Sequence, residues 1–354
     1  MRRTTKIAAA AVAILLTAAG TACTKKNADP APPANNPSNS QSSTGGGTGS
    51  TDFKIAFVPK LQGIPYFEAM NAGGKEAAGK LGGQWLYQGP TTADAAAQAD
   101  VVSTFIQQKV DALFIAPNDP DSMAPKIQEG IDAGIKVATS DTDAPNSARE
   151  LMVLMASSEG IGKANTEAIM QAMGGKGEFA IVSCGETADQ LNQWIAEIKK
   201  YTAEKYPEAK VVDTVFAGED VAKATQMATD LMNAHPNLTG IVGTCSTAGP
   251  GIAQAVENAG KIGKVFTVGM GTPNDMAKYL KSGAASAGVL WDAKALGCLT
   301  YWAGIQLIQD KGFQATQAVP ECGLDAVTYD EASKVLLMGE PLTFTKDTVD
   351  NYNF

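Results

Sequence analysis

From residue 53 onward, short apolar runs alternate with longer segments in which apolar residues recur every three or four positions. Lys54-Ile55-Ala56-Phe57-Val58 reads as a buried strand, and about Tyr66 to Leu81, ending at Gly82-Gly83, as a helix. Strand-like Gln84 to Tyr87 follows, then helical Asp94 to Gln108, the strand Ala112 to Ile115, a helix from about Asp121 to Ala133 and the strand Lys136 to Thr139. The rhythm then repeats. Helices are expected over 162–173, 189–206, 223–234 and 249–259, with strands over 178–183, 211–216, 238–243 and 265–269. Apolar strands alternating with helices of about 10–15 residues specify βαβ units and a parallel sheet. Two such series in succession predict an α/β protein of two doubly wound parallel-sheet lobes.

The connections between the lobes are legible in outline. Thr142 to Leu151 contains Pro145, has no periodicity and is the first hinge candidate. Ala284 to Leu290 is a second extended segment, leading into a helix from about Asp292 to Asp310 that returns to the first lobe. The tail from about Asp325 crosses back. A three-segment hinge therefore assigns 52–144 with 292–322 to an N-terminal lobe, and 145–291 with 323–354 to a C-terminal lobe.

In open parallel sheets, ligands bind beyond the carboxyl ends of the strands. If both lobes turn those ends toward each other, the residues that matter are Lys60, Tyr66 and Phe67; Asp119; Asp141 and Asp143; Cys184 to Gln190; Ser246; Gly271-Thr272; and Trp291-Asp292. An ionised aspartate only accepts hydrogen bonds and can hold two adjacent hydroxyls, whereas a lysine supplies donors. Tyr66, Phe67 and Trp291 offer flat faces for the C–H side of a ring. The mixture suits a neutral polyhydroxylated ligand and disfavours an anion. Each residue also has a structural reading: Phe67 as core, Asp119 as a helix N-cap, Asp141 and Asp143 as turn residues, and Trp291 as interlobe packing.

Composition narrows the classes. The chain has 354 residues, a net charge of −9, and no basic cluster, so nucleic acid is not an expected partner. Its single histidine, His235, sits in a helix-ending Ala-His-Pro-Asn turn and reads as a cap or surface residue. No close Cys/His spacing points to a metal, and no cofactor motif is present. Cys184 and Cys245 end strands that are neighbours in the usual strand order, so a disulfide is geometrically possible. Cys298 and Cys322 form a second candidate pair, with four free buried thiols as the other reading. An exported sugar-acting enzyme is a further class, since paired carboxylates serve glycoside hydrolysis. The chain, however, carries no Gly-x-Ser-x-Gly, phosphate loop or Gly-x-Gly-x-x-Gly.

The first residues carry Arg2, Arg3 and Lys6, an apolar run from Ile7 to about Ala19, and Gly20-Thr21-Ala22-Cys23. This pattern is that of an export signal, and the run is shorter than the roughly 20 residues a permanent span requires. It resembles a lipoprotein signal over 1–22, with Cys23 as the lipidated first residue and Gly20 where Leu is commonest. The other reading is an ordinary secretory signal. Residues 23–51, rich in Asn, Pro, Ser, Thr and Gly, read as a disordered tether. The expected location is outside the cytoplasm, at the membrane through the lipid.

The stretch Phe53 to Phe67, with Tyr87-Gln88-Gly89-Pro90-Thr91, Ser140-Asp141-Thr142-Asp143, Asn192-Gln193-Trp194, Gly271-Thr272-Pro273-Asn274, Leu290-Trp291-Asp292 and the ending Asn351-Tyr352-Asn353-Phe354, resembles type I periplasmic sugar-binding proteins of ABC transporters. Within that family it is most similar to the branch of the autoinducer-2 and rhamnose-binding proteins. The resemblance implies a monomeric receptor that closes on a monosaccharide, deoxysugar or polyol and delivers it to a permease. Autoinducer-2 transport and presentation of a sugar to a membrane sensor are the alternatives. Lys60 and Asp141 match the autoinducer-2 pattern. Its Asp-Gln pair falls near Asp189-Gln190, or at Gln190-Leu191 when counted back from Asn192-Gln193-Trp194, and Thr244 and Ser246 replace its Pro and Ala. Asp119 matches a sugar-binding aspartate of the ribose-binding proteins. The implied ligand set is Lys60, Tyr66, Phe67, Asp119, Asp141, Gln190, Ser246, Trp291 and Asp292.

Overall fold

The first strand, β1 (Lys54–Val58), is buried beyond its first residue and divides its side chains between two apolar clusters. Ile55 and Phe57 join one, Ala56 and Val58 the other. Strands buried on both faces are the mark of a sheet covered by helices on each side. A computed structural model of the chain describes residues 52–354; the expected signal, Cys23 and the tether to residue 51 lie outside the described residues. After β1 come α1 (Pro65–Leu81), β2 (Gln84–Tyr87), α2 (Ala95–Gln107), β3 (Ala112–Ile115), α3 (Pro120–Asp132), β4 (Lys136–Ser140) and β5 (Met152–Leu154). The second series runs α4 (Ser158–Met173), β6 (Gly177–Ser183), α5 (Asp189–Lys205), β7 (Ala209–Phe216), α6 (Val221–Ala234), β8 (Leu238–Gly243), α7 (Ala248–Asn258), β9 (Phe266–Gly269), α8 (Pro273–Ser282) and β10 (Ala287–Leu290). The chain closes with α9 (Ala293–Ile308), β11 (Thr316–Val319), β12 (Leu324–Asp330), β13 (Val335–Leu337) and β14 (Leu342–Phe344).

The strands form two sheets, ordered β11-β12-β13-β5-β4-β3-β1-β2 and β14-β10-β9-β8-β6-β7. Each series pairs in parallel, with antiparallel additions from the C-terminal strands. This is the expected pair of α/β lobes, with different crossing points. β5 falls in the 145–291 span that the sequence pattern places in the second lobe, but it pairs in parallel with β4 and β13 in the first sheet. The chain therefore leaves the first lobe after Leu154, not over Thr142 to Leu151. Those residues stay in the first lobe, where Asp143 accepts from Thr139 Oγ1 and Ala144 N at 2.7 and 2.8 Å and from Arg149 Nη2 at 2.7 Å. β12 and β13 likewise belong to the first sheet, so the tail returns to the second lobe only at β14.

α9 is apolar on nearly all sides and buried along most of its length, as befits a helix enclosed by protein. It lies against α1, where a side chain at Gly73 would strike the Lys294 carbonyl and one at Gly297 the Met70 carbonyl. Two glycines thus permit the close helix contact that seats the returning segment. Both candidate disulfides are present: Cys184–Cys245 with Cα atoms 6.0 Å apart, between the ends of the paired strands β6 and β8, and Cys298–Cys322 at 5.5 Å. His235 caps α6 through its N–H to the Leu231 carbonyl, with Nε2 3.4 Å from Asp213 Oδ2.

Candidate functional site

The loops that follow β1 and β3 are tied together by one buried amide. Gln98 on α2 donates to the carbonyls of Pro59 and Ala116 at 2.9 and 2.7 Å and accepts from Asn118 N at 2.8 Å. Asn118 Nδ2 in turn donates to the Lys60 carbonyl at 2.7 Å. Lys60 is thereby held just beyond the first sheet, with its ammonium 3.2 Å from Asp141 Oδ2. Asp141 follows β4 with φ of 74°, a left-handed conformation uncommon outside glycine and often found where function demands it. Its carboxylate also accepts from Tyr66 Oη at 2.6 Å and Thr142 Oγ1 at 3.0 Å. Burial, and secondarily the Asp141 charge, pushes the Tyr66 phenol well above its ordinary pKa, so it remains a donor.

Aromatic rings carry the site across to the second lobe. Trp291, in the crossing between β10 and α9, donates from Nε1 to Tyr66 Oη at 3.0 Å. Its ring meets Tyr66 and Trp194 edge-on, each at 5.7 Å between centroids. Such edge contacts are the favoured geometry of aromatic pairs. Trp194 is buried, and its Nε1–H has no protein acceptor; buried donors are nearly always satisfied, so this one is suited to a ligand oxygen.

These residues surround a cavity of about 30 Å³ between the lobes, lined by Lys60, Tyr66, Phe67 and Asp141 from the first lobe, Leu191, Trp194, Glu219, Cys245 and Ser246 from the second, and Trp291 between them. Of the residues expected from sequence, Lys60, Tyr66, Phe67, Asp141, Ser246 and Trp291 come together here. The others do not line it. Asp119 caps α3, accepting from Ser122 N at 2.8 Å, and borders an adjoining space of about 160 Å³ that Lys60 and Glu219 share. Gln190 is buried but donates to Ser158 Oγ at 2.9 Å. Asp292 caps α9, accepting from Ala295 N at 2.9 Å. Thr272 caps α8. A polar residue between a strand and a helix serves the helix first, because the first N–H groups lack intrahelical partners.

Sequence reasoning missed Trp194, which lies within α5, and Glu219. Glu219 follows β7 as Lys60 follows β1, so the same strand-end rule would have found it. Its carboxyl pKa is raised: burial raises it most, Lys60 opposes that, and the Asp141 charge adds to it. Thr247 Oγ1 donates to it at 3.5 Å and sits 3.1 Å from Cys184 Sγ. Cys184, Cys245 and Glu219 place potential metal ligands within 4.8 Å of one another. The two sulfurs are bonded to each other, which leaves one carboxylate and no thiolate for an ion. Chemically, the site offers one ammonium, two carboxylates, an indole donor and flat rings. It contains no nucleophile–base pair.

Residues 55–312 match the family of the periplasmic binding protein domain. Among curated proteins, the chain is 26% identical over 204 residues to a D-ribose/D-allose-binding protein of Pseudomonas aeruginosa, covering 55% of this chain and 62% of that one, less than two thirds of the relative's length. It is 23% identical to the ribose import binding protein of Bacillus subtilis, covering 76% of this chain and 86% of the relative. Among solved structures, LsrB from Clostridium saccharobutylicum in complex with AI-2 superposes with a TM-score of 0.79 at 26% identity, covering 85% of this chain and all of that one. An ABC transporter solute-binding protein from Clostridium phytofermentas with bound L-rhamnose gives 0.80 at 25%, covering 85% and 98%. These are binding proteins, not enzymes. With its two mainly parallel sheets and the site between them, the chain belongs to the periplasmic binding protein domain family and has the two-lobed type I fold of these sugar-binding relatives.

Proposed function

We propose that this chain captures a small neutral hydroxylated ligand, a monosaccharide, deoxysugar or polyol, and hands it to the permease of an ABC importer. The observation that carries the reading is the convergence of Lys60, Asp141, Glu219 and Trp291 from separate strand ends, and of Trp194 from α5, on one enclosed space between the lobes. The carboxylates accept ligand hydroxyls, Lys60 and the Trp194 N–H donate to ligand oxygens, and the rings cover the C–H faces. Relatives named for ribose import, and one bound to L-rhamnose, support the ligand class.

A cavity of about 30 Å³ holds two or three waters, at roughly 10–15 Å³ each, and no pyranose ring. Capture therefore requires the lobes to part about the crossings at 155–157, 291–292 and 338–341, admit the ligand, and close on it. Ligand stabilises the closed form by the difference in its affinity for the two forms. A Kd of about 1 μM corresponds to about 8 kcal/mol, within reach of a few charge-assisted hydrogen bonds and a stacked ring. The likeness to the AI-2 complex, together with Lys60 and Asp141, keeps AI-2 as the second ligand reading. Presentation to a membrane sensor is the second partner reading. The protein acts as a monomer outside the cytoplasm, tethered by lipid on Cys23. Among the described residues, no helix is long and apolar enough to cross a membrane.

A thermal-shift screen across pentoses, hexoses, deoxysugars, polyols and AI-2 tests the ligand. A rise in melting temperature with one carbohydrate, returned chemically unchanged after long incubation, is the expected result. No shift with any of them refutes it.

A further inference from the structure

A larger space adjoins the central cavity. A space of about 250 Å³ shares Ile64, Tyr66, Glu219 and Ser246 with it, so these four side chains form the partition between the two. The outer space is also interlobar. Gly63 to Tyr66 at the start of α1 form one wall, and the starts of α6 and α7 with residues 275–279 of α8 the other. At about 250 Å³ it approaches the lower end of small-molecule sites, about 300 Å³, whereas the inner cavity alone is far below it.

The outer wall has a ligand-like composition. Asp275, partly buried and held by the Thr272 hydroxyl at 2.9 Å, contributes an acceptor. Lys278 contributes an exposed ammonium over the Tyr279 ring, 4.4 Å from its centroid. The same space is lined by Val221, 42% exposed and one of two large hydrophobic side chains so exposed among the described residues. A donor, an acceptor and an apolar surface turned toward the cleft are what a hydroxylated ring or an alkyl substituent requires.

We propose that the binding site extends past Tyr66 and Glu219 into this outer space. The preferred ligand is then a substituted sugar, a glycoside or a disaccharide, with its glycone in the inner site and its substituent against Val221, Asp275 and Lys278. This rests on the sugar-binding reading. A group in the outer space touches both lobes and so adds to the closure energy as well as to selectivity.

The test is calorimetric titration of the mature chain with D-ribose, D-xylose, D-glucose and L-rhamnose, their methyl glycosides, and disaccharides containing them. The expected result is a glycoside or disaccharide that binds at least tenfold tighter than its parent sugar. Val221→Trp, at an exposed position that folding tolerates, removes that margin and leaves the free sugar within about twofold. Lys278→Ala reduces the margin in the same direction. A free sugar that binds as tightly as every derivative overturns the extension and leaves the sugar reading standing, as does equal weakening of both ligands in Val221→Trp. Binding of no carbohydrate overturns both.

Discussion

Replacing Asp141 by asparagine isolates one carboxylate charge in the site. Asparagine keeps the shape of the side chain and tolerates the left-handed φ of 74° that this position adopts; alanine would add a backbone cost of about 1–2 kcal/mol. The substitution removes the partner of Lys60 at 3.2 Å and weakens an acceptor that Tyr66 holds at 2.6 Å. Hydrogen bonds to a charged group contribute about 1.5–3 kcal/mol each, so losing the charge against two ligand hydroxyls weakens binding by about 3 kcal/mol or more. At about 1.4 kcal/mol per factor of ten, that is a Kd at least about a hundredfold higher. Stability falls too, because an ammonium only 7% exposed loses its counter-ion. Breaking a buried pair costs about 3–5 kcal/mol. The lower end applies here, since Glu219 acts on the same ammonium. Calorimetry with the best sugar and urea unfolding without it measure the two effects separately. An Asp141→Asn protein that binds within threefold of the parent refutes the role of Asp141 as a ligand carboxylate.

Four further outcomes follow from the geometry. Glu219 has a raised folded pKa, so its contribution is full below the ordinary glutamate value of about 4.3 and is lost as pH rises through the folded value. Glu219→Gln should melt above the parent at pH 7 and level with it at pH 4; a margin that does not change with pH refutes the burial argument. Gln98→Leu orphans three backbone groups that this buried amide now satisfies, for a loss of about 3 kcal/mol or more in urea unfolding and weaker ligand binding through the displaced Lys60 loop. Cys184→Ser with Cys245→Ser opens a cross-link spanning 61 residues, for a chain-entropy loss of about 4 kcal/mol, and should also weaken binding because Cys245 lines the cavity; unchanged melting and affinity would refute both effects. Cys23→Ser should release the protein from membranes into the soluble fraction and remove a diacylglyceryl mass increment; retention at the membrane argues against the lipid tether.

The βα alternation was readable because the central parallel strands, buried on both faces, are short apolar runs between amphipathic segments. The strand-end rule then led to Lys60, Tyr66, Phe67, Asp141, Ser246 and Trp291, all of which line the cavity. What escaped the sequence reading was non-local. β5 is three residues, and β13 and β14 are three each; strands this short are defined by their neighbours' hydrogen bonds, not by a period of their own. Their pairing decides where the chain crosses between lobes. Asp119, Asp292 and Asp141 look alike in sequence, each a polar residue after a strand. Only the fold shows that the first two cap helices, while the third turns left-handed onto an ammonium and a phenol. Local pattern determined the layers and which ends of the strands matter. Tertiary contact decided which side chains at those ends share one desolvated space, because burial and charge pairing depend on residues as far apart in the chain as Tyr66 and Trp291.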